Sequence, residues 1–294
     1  MSKVRESCRR VIEKAQFVTI DTQALENFAK TPYREPSPWA SFDCHYSGDK
    51  VLDYIFALDA LNFCFWPHST YDYPDLALNL KKILLSNPDG LSPTTISNFT
   101  IENLNQIFPS DFPNLPLRLE KIRELGQVTL SSFNGSYTNL LSACDNSALR
   151  LVDLIYENYP GFRDVCQYKG EDVFLMKRAQ IAVSDIYGAG AWNFHDIHEL
   201  TMFPDYQVPQ VLNSKGVLKY HNGLQEKIDN KEIIDRNSDM EIEIRAATVV
   251  ACDHLANLYS QPVIKIDWLL WQIGEEEKRL LLLKNHHRTI TTFY

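Results

Sequence analysis

From Val51 to Phe65 apolar residues recur at positions 51, 52, 55, 56, 58, 61 and 63, a spacing closer to 3.6 than to 2. That period commits the segment to a helix, with Trp66-Pro67 expected to close it. Val4, Cys8, Val11, Ile12 and Ala15 repeat the pattern over residues 2–15. Asp21 can N-cap a short helix running through Lys30. Further helices are expected over 75–86, 100–107, 115–131, 137–158, 174–187, 207–214, 223–234, 239–260 and 264–278. Alternation is rare. Val165–Phe174 reads as a β-hairpin turning at Lys169-Gly170, and Val18–Asp21 as a short extended piece. Three prolines mark Thr31–Pro38 as a loop. The fold class is therefore mainly α: a single compact helical unit over 1–294, with a small β-hairpin and room for two lobes. At 294 residues, 45% of them apolar, the chain can bury one large core or two smaller ones that share an interface.

Charge narrows the function. The net charge is -9, and no run of Lys or Arg exceeds two residues. Duplex nucleic acid is gripped by a basic face, so no duplex partner is expected. A small nucleotide with one phosphate needs only one or two cations and stays compatible. The six cysteines are scattered among apolar residues without a two-residue gap, as reduced structural thiols are. Lys3, Arg5, Glu6, Arg9 and Arg10 precede no apolar run, so the start does not read as a signal peptide. No stretch approaches the roughly 18 apolar residues of a membrane span. A cytoplasmic monomer without membrane contact is the expectation. P-loop, GxGxxG, GxSxG and kinase motifs are all missing from the sequence, which counts against the common ATP, NAD and serine-hydrolase readings.

Several clusters can carry chemistry, each beside a plainer reading. Asp205 lies between Phe203-Pro204 and Tyr206; it is either a helix cap or a carboxylate held against aromatic walls, where burial tunes its pKa. Asp267 and Trp268 open an apolar helix, where Asp267 is either a partner of the helix dipole or a second acid on the same cavity. Asp59 and Asn62 share a face of the first long helix and need hydrogen-bond partners there, from backbone or from a ligand. Lys177 and Arg178 point about 100° apart on their helix, either into solvent or with one of them toward a phosphate. His45 lies in a loop. His195 and His198, three apart, and His286-His287 do not converge as metal ligands, so neither metal nor cofactor is expected.

Five blocks taken together say more than their spacing. They are Leu58–Pro67, Lys177–Gln180, Leu200–Leu212, Glu241–Ala247, and Asp267–Trp271 with His287-Arg288-Thr289 and Tyr294. In that order they resemble the queuosine salvage family of queuosine 5′-phosphate N-glycosylase/hydrolases. The resemblance implies a fold similar to helix-hairpin-helix DNA glycosylases and release of queuine, a 7-deazaguanine base, from its nucleotide. It implies Asp205 as the catalytic carboxylate, acting as nucleophile, base or charge stabiliser. His45, Asn62, Phe203, Tyr206, Asp267, Trp268 and Gln272 would hold the substrate, with Asp43 an alternative to His45. Lys177, Arg178 and Arg288 would take the 5′-phosphate. Departures are Pro204 and Gln207, where many members have Ala and Arg, and Gln272, where some have an acid. The rival readings are a DNA or RNA base glycosylase on the same fold and a non-catalytic queuine-binding protein.

Overall fold

A computed structural model describes residues 2–68 and 70–294. Its helices, in chain order, are α1 (Lys3–Glu13), α2 (Thr22–Ala29), α3 (Val51–Leu61), α4 (Tyr73–Ser86), α5 (Pro93–Ile96), α6 (Ile101–Leu104) and α7 (Leu115–Ser132). The second half adds α8 (Tyr137–Ser142), α9 (Ala148–Asn158), α10 (Lys177–Gly188), α11 (Gln207–Ser214), α12 (Leu224–Asp229), α13 (Asp239–Tyr259) and α14 (Val263–Arg279). Strands are few: β1 (Val18–Ile20) pairs antiparallel with β4 (Leu218–Tyr220), and β2 (Val165–Tyr168) with β3 (Glu171–Phe174). The mainly helical reading holds.

Two helices form the interior. In α3 every residue from Tyr54 to Leu61 is buried, and in α13 every residue from Glu241 to Asp253. A helix buried all round has no solvent face, which is why neither shows a clean polar stripe. α1, α2, α11 and α14 pack on α13, and α4, α7 and α10 pack on α3. Buried polar groups on these helices are paired, apart from Asp59 Oδ2 on α3, which no donor reaches among the described residues. Glu243 accepts from the backbone N–H of Gln16, Phe17 and Val18 at 2.6–3.1 Å and from the Tyr168 hydroxyl at 2.7 Å. It thereby ties the chain leading into β1 to the core.

Several boundaries differ from the sequence-based expectation, for identifiable reasons. α3 ends at Leu61 rather than Phe65. Its terminal carbonyls lack intrahelical donors, and a buried arginine from α7 supplies them: Arg118 donates to Leu61 O and Phe63 O at 2.6 Å and to Cys64 O at 3.1 Å. The helix expected over 137–158 is two helices, α8 and α9, because Asp145 and Asn146 both take positive φ. Ser147 then caps α9 by accepting from Arg150 N–H. β4 went unread because three residues carry too little alternation. The hairpin does form where expected, with Lys169 at φ 49° and Gly170 at φ 84°, the turn that matches strand twist. Asp21 caps α2 through Ala24 N–H. All six cysteines are free thiols. Among the described residues no helix is long and apolar enough to cross a membrane.

Candidate active site

An open-mouthed cavity, about 1010 Å³ with the solvent at its mouth included, lies between α10, α14, the stretch after α3 and the loop before α11. Each wall has a local cause. On α10, Lys177, Ile181, Asp185 and Gly188 fall at steps of four, four and three, one helix face. After α3, the irregular run held open by Arg118 presents Asn62, Phe63, Cys64 and Phe65. On α14, Asp267, Trp268 and Trp271 face inward.

The loop carrying Asp205 is pinned at Thr201, Phe203, Pro204 and Asp205. Gln180 on α10 accepts from Thr201 N–H at 3.0 Å. Asp267 accepts from Phe203 N–H at 3.0 Å. Arg245, buried in α13 and paired with Asp164 and Glu241, donates to Pro204 O at 2.9 Å. Asp205 itself accepts from the N–H groups of Gln207 and Val208 at 2.9 and 3.1 Å, at the start of α11. It is thus both a helix cap and a half-buried carboxylate on the cavity wall. Gln207 locks the same turn onto α14 by donating to Trp271 O at 3.0 Å. Gly274 leaves room for this, since a Cβ there would lie 2.9 Å from the Gln207 amide nitrogen.

Five carboxylates line the cavity: Asp72, Asp185, Asp205, Asp267 and Glu275. Among the described residues Lys177 is their one lining cation. Surroundings separate the acids. Burial raises the Asp205 carboxyl above its ordinary value, but Lys177 and the two helix N–H groups oppose the rise. Asp267 and Asp185 are driven well above theirs, by burial first, with Asp205 adding to Asp267 and Asp59 to Asp185. Asp205 is therefore the most readily ionised of the three. Burial lowers the Lys177 ammonium, opposed by Asp205 and Asp59.

His45 stacks on Trp39 with centroids 3.7 Å apart. Its Nδ1 faces Trp39 O at 3.1 Å and its Nε2 the Tyr73 hydroxyl at 2.9 Å. Burial lowers it to about 4, so the ring is neutral near pH 7. A carbonyl can only accept, so Nδ1 carries the proton and Nε2 accepts from Tyr73.

The cavity gathers every expected site residue except two. His45, Asn62, Phe203, Asp205, Tyr206, Asp267, Trp268, Gln272 and Lys177 all line it. Of the two alternatives in the loop, His45 lines the cavity and Asp43 does not. The amide of Gln272 is engaged with the Ser37 backbone, accepting at 2.9 Å and donating at 3.2 Å. Arg178 is 1% exposed and lies outside the lining; its guanidinium donates to the carbonyls of Asp59, Ala60 and Gly161. It braces the end of α3, so the expected phosphate contact is withdrawn. Arg288 stacks over Trp66, 5.3 Å from its centroid, and is not among the lining residues. Sequence reasoning missed Asp185, Tyr73 and Trp271. Asp185 was open to detection, because it repeats the face of Lys177 and Ile181 along one helix.

Residues 43–294 match a protein family described as queuosine salvage protein. The chain is 43% identical to a queuosine 5′-phosphate N-glycosylase/hydrolase of Dictyostelium discoideum over 250 residues, covering 82% of this chain and 77% of that protein. It is 36% identical to the Sphaerobacter thermophilus protein of the same name, over 99% of this chain and 97% of that one. It is 28% identical to the Bos taurus protein of that name, over 99% and 98%.

Proposed function

The chain belongs to the queuosine salvage protein family, and from that premise we propose that it is an enzyme hydrolysing the N-glycosidic bond of queuosine 5′-phosphate, to release queuine and ribose 5-phosphate. The observation that carries the reading is the placement of Asp205, held by α10, α13 and α14 together at the wall of an acidic, aromatic cavity.

Breaking a nucleoside N–C bond builds positive charge on the ribose, as in glycoside hydrolysis. A fixed carboxylate beside C1′ stabilises that charge without reorganising as it forms. Asp205 fits this part, since its helix N–H partners and Lys177 favour the ionised form. The same carboxylate can orient the attacking water, take its proton, or attack C1′ itself. The leaving base has carbon in place of N7 and cannot be protonated there, so help comes at its other edge. Asp267 is suited to accept from the guanine-like N1–H and amino group. His45 Nε2 takes the Tyr73 hydroxyl proton, which leaves the Tyr73 oxygen free to accept from the base. Phe203, Tyr206 and Trp268 supply faces for stacking. Lys177 is the proposed phosphate contact.

The test is product analysis. Purified protein incubated with queuosine 5′-phosphate should yield free queuine and ribose 5-phosphate in equal amounts. Tight binding of the nucleotide without either product would make this a binding protein instead.

A further inference from the structure

The geometry points to Asp185 as the group that takes the ammonium of the substrate's side chain, making it the residue that selects an aminomethyl-bearing 7-deazaguanine over the plain base. This rests on the hydrolase reading above, because the site is the same cavity. Asp185 lines the cavity yet is only 6% exposed. Among the described residues no donor reaches its Oδ2. The other lining acids are engaged: Asp205 by two helix N–H groups, Asp267 by Phe203 N–H, Asp72 by Lys278. Burial raises the Glu275 carboxyl, and the neighbouring Lys278 opposes the rise.

A buried carboxylate without a donor is costly to keep unless a ligand completes it, and Asp59, a second buried acid with an unpartnered Oδ2, adds to that cost. The ligand Asp185 calls for is a cation with N–H donors. Its neighbourhood suits an organic ammonium. Asp185 lies two helical turns beyond Lys177 on α10, so it sits away from the end where the sugar would meet Asp205. One turn further on, Gly188 has no side chain, and the Trp268 ring lies against it, 3.4 Å from where a Cβ would stand. Asp185 and Trp268 line the same cavity, so an ammonium held there takes a salt bridge from the acid beside an aromatic wall. The proposed substrate carries a secondary amine on its 7-methylene, one ring and one carbon away from the sugar. Burial and Asp59 raise the Asp185 carboxyl when the cavity is empty; an arriving ammonium reverses that shift.

The test uses two free bases that differ only in the amine, 7-aminomethyl-7-deazaguanine and 7-methyl-7-deazaguanine, titrated calorimetrically into the full chain. Wild type should bind the aminomethyl base at least about tenfold more tightly, the effect of one charged hydrogen bond. Asp185→Asn should bring the two affinities within about threefold, mainly by weakening the aminomethyl base. Equal affinities in wild type overturn the proposal even if the variant fails to fold. So does a preference that survives in Asp185→Asn. Absence of ribose 5-phosphate release overturns the hydrolase reading instead, and this binding comparison does not depend on turnover.

Discussion

Asp205, Asp267 and Asp185 share one cavity, and their environments set them to different tasks. Only Asp205 combines a lysine and two helix N–H groups against its burial, so it holds charge most easily. Because its carboxyl is raised, activity should be lost as pH falls through a value above the ordinary carboxylate range of about 4. The acidic limb of kcat/KM, which reports the free enzyme, should have its midpoint above that range. A limb at or below it would contradict the role. Lys177 pulls the same carboxyl down, so Lys177→Ala should move the limb to still higher pH. That variant should also weaken queuosine 5′-phosphate far more than unphosphorylated queuosine; equal losses on both would remove the phosphate contact. Asp205 was legible because prolines and aromatics frame it in sequence. Asp185 repeats the face of Lys177 and Ile181 in sequence, but that this face is buried follows only from the packing of α10 on α3.

At the scale of elements, helices were legible and their ends were not. A period is written locally, but a helix end depends on what satisfies its last carbonyls. For α3 the donors are Arg118 and Arg178, far along the chain. The break between α8 and α9 was written locally, in Asp145-Asn146-Ser147, yet the apolar period on both sides masked it. Arg118 offers a direct check. Truncating it leaves the buried carbonyls of Phe63 and Cys64 without donors and Leu61 O with Phe63 N–H alone, at about 1 kcal/mol or more for each orphaned group. Arg118→Met should lower the melting midpoint by roughly 5 °C or more, with loss of activity because Asn62–Phe65 line the cavity. A midpoint within about 1 °C of wild type would mean that α3 ends there for another reason.

Across the whole molecule, four of the blocks that resembled a family line one cavity, and the fifth supports it from behind through Arg245 and Pro204 O. Their convergence could not be read from spacing, because it is made by α3 and α13 crossing the interior. The net charge of -9 has its own consequence. With acids around the cavity and a single lining lysine among the described residues, duplex DNA should give no gel shift at moderate salt; a stable complex would favour a polynucleotide-acting glycosylase. The central claim is the negative charge at position 205 beside the sugar. Single-turnover release of queuine from queuosine 5′-phosphate by Asp205→Asn, in protein whose melting midpoint is unchanged, tests it most directly. Base release should slow by about a hundredfold or more, and a rate within about tenfold of wild type would contradict the account.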